Sequence, residues 1–261
     1  MSIGICLRTI TPPGGSTIVC EVLVAVWPEP QPFARVLPWG LALERVGVAG
    51  FGWGLAWREG GRLRRYRDPG RLSDDEAGKT GLQEIRSTHF LLHLRRPSQL
   101  TTVALADTQP FLADDGSFAF AHNGRLAGAL QMRQRFPGKL EGQADSEVGF
   151  RLFEALISEG REPAEALGAV HQQLGGTANL GYLPARGAPL FYGGNPENDV
   201  WSFRLEGAEV TSTSLHSADQ ALFSLLFPTA SHRVRLAPRE VAALGQTEAN
   251  RPAASGVATG G

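Results

Sequence analysis

Apolar positions run almost unbroken from Val22 to Trp27 in the stretch CEVLVAVW, a density that predicts a strand covered on both faces. The breaker cluster Thr11-Pro12-Pro13-Gly14-Gly15-Ser16 separates that strand from what lies upstream. Over 31–46, Phe33, Val36, Leu37, Leu41 and Val46 fall at helical spacing, with Pro38 and Gly40 as interruptions. GFGWGLAWREGGRLRRYRDPG predicts a hairpin turning at Gly60-Gly61, and STHFLLHLRRPS a strand running into a polar loop. FLADDGSFAFAHNG predicts a second hairpin, with Asp114-Asp115-Gly116 at its turn.

After Asn123-Gly124 the period changes. The pattern predicts a helix over 125–136. Asp145-Ser146 offers a cap for a longer helix that presents Val148, Leu152, Phe153, Leu156 and Ile157 on one face and stops at Gly160. EPAEALGAVHQQLGG predicts another helix, opened by Pro163 and closed by a glycine pair. Short strands with Gly/Asn/Pro turns are expected over 177–227, a small helix over 238–244 and a disorder-prone tail over 246–261. No internal repeat is visible. Strands, then helices, then strands point to an α+β layered domain over 20–245 rather than to alternating parallel βαβ units.

Composition narrows the function classes. The 261 residues carry 25 basic and 26 acidic side chains, for a net charge of -1, so no bulk charge draws the chain to nucleic acid or to an anionic membrane. No apolar run reaches the ~18 residues of a membrane span, and residues 1–19 lack a basic secretory start. Two cysteines make no disulfide framework, and a cytoplasmic setting is the expectation. Among the six histidines, only His89 and His93 have a ligand-like spacing; it is a helical one, yet it falls on an expected strand, so no metal is expected. GxxxxGK[ST] is absent, which argues against nucleotide chemistry within the chain.

Four stretches carry candidate chemistry: Cys20 at the strand start, HLRRPS at 93–98, HNG at 122–124 and DSE at 145–147. Singly, each has an ordinary structural reading: an inert core thiol, a solvated strand end, a turn and a helix cap. Together with GFGWGLAW and DTQPF, their order resembles that of the class II glutamine amidotransferases, whose catalytic group is an N-terminal cysteine; the resemblance covers Cys20 to about Pro228. It implies the four-layer αββα sandwich of N-terminal-nucleophile (Ntn) hydrolases, a thioester intermediate and no cofactor. By the same resemblance Cys20 is the nucleophile, and the Asn123 amide and Gly124 N–H form the oxyanion hole. Arg95, with Ser98 beside it, binds an α-carboxylate, Asp145 pairs with an α-ammonium, and Trp53 shapes the wall of the site.

The implied substrate is glutamine or a γ-glutamyl compound, with a separate synthase as the partner that would receive ammonia. Phe51 stands where the family has Asp, and Asp107 where it has Asn. These two departures keep a second reading open, a catalytically silent domain that binds a γ-glutamyl ligand or a partner protein.

A mid-chain amide is no base, whereas a free α-amine titrates near neutrality. Residues 1–19 are therefore expected to be absent from the working protein. Val19 fits a GTG start codon, which encodes methionine when it initiates; a cleaved propeptide is the alternative. Cys6 competes for the nucleophile's role, but no comparable strand follows it.

Overall fold

The computed structural model describes residues 20–47, 49–97, 103–213 and 220–245. The expectations for residues 1–19, Ser98 and residues 246–261 lie outside the described residues.

The central strand is β1 (Glu21–Pro32), and its sequence explains its place. Val22, Val24 and Val26 point one way and Leu23, Ala25 and Trp27 the other, and all six are buried. A strand apolar on both faces needs a layer on each side. The valines join Ala56, Leu91, Ala119, Ala121 and Phe191 in a core between two sheets. Leu23, Ala25 and Trp27 join Trp39 and Leu43 of α1 (Leu37–Gly47) and Phe223 of α6 (Gln220–Leu226) on the outer side.

The first sheet adds β2 (Trp53–Glu59), β3 (Arg62–Asp68), β4 (Arg86–Leu94), β9 (Val200–Leu205), β10 (Ala208–Thr213) and β11 (Ser231–Arg235), in the order β11-β9-β10-β1-β4-β2-β3. The second contains β5 (Phe111–Leu112), β6 (Phe118–Leu126), β7 (Gly176–Pro184), β8 (Leu190–Gly194) and β12 (Glu240–Ala243), in the order β12-β8-β7-β6-β5. Every recorded pairing is antiparallel. Helices α4 (Asp145–Ser158) and α5 (Pro163–Leu174) cover the outer face of the second sheet through Val148, Leu152, Phe153, Leu167 and Val170. The expected four-layer αββα sandwich is thus the observed architecture. Among the described residues, no helix is long and apolar enough to cross a membrane.

Several local expectations change. The helix expected over 125–136 shrinks to α3 (Ala129–Met132) and a following 3-10 turn, because β6 continues through Leu126. The helix expected over 238–244 is instead β12, recruited by pairing with β8. Strands were expected throughout 177–227, yet 220–226 is α6. A short helix, α2 (Glu76–Leu82), capped by Asp75, was not foreseen. Nor does Asp145 cap α4: Ala144 occupies the N-cap without a side-chain bond, and Asp145 is the first helical residue.

Candidate active site

Register brings the candidate residues together. Glu21 pairs with Leu94 across β1 and β4, which sets Cys20 beside Arg95 and Arg96. The Arg96 N–H donates to Cys20 Sγ at 3.3 Å, and the thiol faces the Arg96 carbonyl at 3.5 Å. Burial pushes the thiol's pKa up to about 11, against the smaller lowering effects of that N–H and the Arg95 charge. Without a base close by, Cys20 therefore stays a protonated thiol at neutral pH.

Arg95 is itself buried. The glycine-rich loop before β2 grips its backbone from both sides: Arg95 N–H donates to Gly52 O at 2.7 Å, and Gly50 and Phe51 N–H each donate to Arg95 O at 3.2 Å. Gly52 has φ of 134°, and a Cβ there would press on Thr108, so the loop takes this course only with glycine. Phe51 contributes backbone to the grip while its ring is exposed. Trp53 does not line the cleft. It is fully buried against Phe33 and Tyr66, with Nε1 donating to Asp75 Oδ2 at 3.2 Å, so it supports the loop from the core.

Asn123 reaches Cys20 from the opposite sheet, its side-chain amide donating to the Cys20 carbonyl. A chain of buried asparagines decides which end of that amide faces the cysteine. Asn123 Oδ1 accepts from Asn179 Nδ2 at 2.9 Å and from Asn195 Nδ2 at 3.3 Å. Asn179 is held in turn by the N–H groups of Gly194 and Asn195 and by the Asn198 carbonyl. With its oxygen engaged on one side, Asn123 must present Nδ2 to Cys20. Sequence reading gave no role to Asn179, Asn195 or Asn198, although the last two lie in the stretch LFYGGNPENDVWSF, which resembles stand-alone members of the family.

Gly124 lies in strand β6 with φ of 131°, and a Cβ there would sit 2.1 Å from the Thr177 carbonyl. Close approach of β7 is what requires glycine here. Gln109 steadies the same strand, accepting from His122 N–H at 2.6 Å and donating to His122 O at 3.3 Å.

Asp145 completes the site. Its Oδ2 accepts from Leu126 N–H at 2.7 Å, which anchors the start of α4 to the end of β6. Asp107 Oδ1 accepts from Gln143 and Ala144 N–H at 2.6 and 2.7 Å, and Glu147 takes the N–H groups of Glu141 and Gly142. Asp107 thus supports the loop entering Asp145, and a single oxygen acceptor does that work. Cys20, Arg95, Gly124 and Asp145 open on one cleft of about 590 Å³, together with Arg96, Arg125 and Arg133. A polarised donor pair beside a thiol, with one fixed cation and one carboxylate in reach, suits acyl transfer from an amino-acid side chain.

A family model described as class-II glutamine amidotransferases matches residues 39–202. No curated protein matches the sequence. Among solved structures, glutamine phosphoribosylpyrophosphate amidotransferase from Bacillus subtilis, complexed with ADP and GMP, has a TM-score of 0.66 and 17% identity over 85% of this chain. The present chain covers 46% of that enzyme. A predicted glutamine amidotransferase from Pseudomonas aeruginosa PA01 has a TM-score of 0.53 and 17% identity, covering 86% of this chain and 97% of its own. A class-II glutamine aminotransferase domain protein from Silicibacter pomeroyi has a TM-score of 0.51 and 18% identity, over 74% and 88%. At such identities the likeness is one of fold.

Proposed function

Because the chain belongs to the class II glutamine amidotransferases, we propose that it is an amidohydrolase with an N-terminal cysteine, cleaving the γ-amide of glutamine or of a γ-glutamyl compound. The position of Asn123, whose side-chain amide donates to the carbonyl of Cys20 itself, supports this reading most directly. Cys20 acts as residue one, and its α-amine, with a pKa of about 7.7–8.0, takes the proton that the buried thiol otherwise keeps. Sγ then attacks the γ-carbonyl carbon. One hydrogen of Asn123 Nδ2 stays on the Cys20 carbonyl, and the other, with the Gly124 N–H, meets the oxyanion. The C–N bond breaks as the amine leaves with the proton, giving a thioester; water then cleaves the C–S bond and restores the thiol. Arg95 holds the substrate carboxylate in a forked contact and Asp145 its ammonium.

This chemistry requires removal of residues 1–19. Initiation at codon 19 followed by loss of methionine is the route we favour, and propeptide cleavage the other. A peptide spanning Ile18 to Glu21 in natively expressed, active protein contradicts both. The setting is cytoplasmic, where the thiol stays reduced, and the ammonia passes to water or to a separate synthase.

The test of activity is a chain begun at Met-Cys20 and assayed on glutamine and γ-glutamyl amides. Turnover that vanishes in Cys20→Ala supports the enzyme. A folded chain with free Cys20 that binds γ-glutamyl ligands but turns none over supports the silent binding domain instead.

A further inference from the structure

The cleft carries more positive charge than an amino acid requires. In the proposed reaction glutamine engages Arg95 and Asp145, yet Arg125 and Arg133 line the same cleft. Among the described residues, Asp145 is the only acidic one in the lining. The whole chain has a net charge of -1, so this surplus is local. The cleft's volume, about 590 Å³, falls in the ~300–1,000 Å³ range of sites for drug-sized ligands and exceeds what free glutamine fills.

Part of this surplus sits on the strand that carries Asn123. Arg125 follows Asn123 by two residues on strand β6, so both side chains leave the same face, about 7 Å apart along the strand. No ion-pair partner of Arg125 is recorded among the described residues. Arg133 is held by one arm, Nη2 donating to Gly142 O at 2.7 Å, while Nη1 is buried without a hydrogen-bond partner among the described residues. A buried guanidinium donor without an acceptor is costly unless a ligand supplies one.

We propose that the outer cleft receives an anionic group on the leaving amine, so that the substrate is a γ-glutamyl amide of an amine bearing a carboxylate or sulfonate rather than free glutamine. This rests on the amidohydrolase reading above. The bonds made and broken are those already given: Sγ–C forms, C–N breaks, and the amine departs protonated, carrying its anionic group out past Arg125 and Arg133.

The experiment compares kcat/KM for γ-glutamylglycine, γ-glutamyltaurine, γ-glutamylethylamide and glutamine, using protein whose free Cys20 is verified by mass. The anionic pair is expected to lead the neutral pair by tenfold or more, with a lead that narrows as salt is added. Arg125→Gln and Arg133→Gln are each expected to bring the ratio toward one, and Arg133→Lys to keep most of it. Arg125 is exposed, so its variant reports even if changing Arg133 disturbs the 142 loop. Equal or faster turnover of the ethylamide and glutamine overturns the inference and leaves the amidohydrolase reading standing. Failure of folded protein with free Cys20 to cleave any of the four sinks that reading and the inference with it.

Discussion

At Asn123 one amide serves two purposes, and the outcome depends on how its oxygen is held. Asn179 and Asn195 occupy that oxygen, which leaves the donor end for Cys20 and, in the proposed reaction, for the oxyanion. Asn123→Ala is expected to lower kcat by about 10²–10³, the usual cost of one oxyanion donor. Asn179→Ala leaves the donor in place but frees it to turn, so a smaller fall in kcat is expected, with KM nearly unchanged. Steady-state kinetics on a γ-glutamyl amide checks both. A fall in KM-dependent binding alone would assign Asn179 to ligand contact instead. Cys20, Arg95, Gly124 and Asp145, which meet in one cleft, were legible as candidates because each lies in a short motif beside an apolar strand or helix. The asparagines behind them were given no role, since Asn195 and Asn198 sit among Gly, Asn and Pro residues that read as a turn.

At the scale of elements, β1 announced itself because both of its faces are apolar, and α4 and α5 because their apolar residues recur at helical spacing. The failures share a cause, in that tertiary pairing outweighed local propensity. Val241-Ala242-Ala243 could continue as a helix, but β8 offers an open edge and takes it as β12. Arg125 and Leu126 extend β6 because Thr177 and Gly176 of β7 are there to pair with them. The α2 segment EAGKTGL has two glycines and little apolar pattern, and its Asp75 cap was its only strong cue. Leu23 lies in β1, buried on the helix-facing side. Leu23→Ala is expected to cost about 2–5 kcal/mol in urea unfolding. Gly124→Ala is expected to destabilise as well and to lower activity, since either the Thr177 carbonyl or the oxyanion-hole backbone must shift.

For the whole molecule, the seam between the two sheets is also where titratable groups are held neutral. Burial, aided by the Arg95 charge and His122, pushes the His93 pKa down to about 3, and burial lowers His122 too. The unfolded chain binds protons that the folded one refuses, so stability is expected to drain away as pH falls from about 6.5 toward 3. Urea unfolding across that window checks the slope, which should flatten in His93→Leu. The same seam places Cys20 at the start of its strand, where burial pushes the thiol's pKa up to about 11. The most direct measurement takes two otherwise identical chains, one whose first residue is Cys20 by mass and one that keeps Val19, and follows γ-glutamyl amide hydrolysis in both. Turnover confined to the chain with the free Cys20 amine is predicted; equal turnover with Val19 attached contradicts the account.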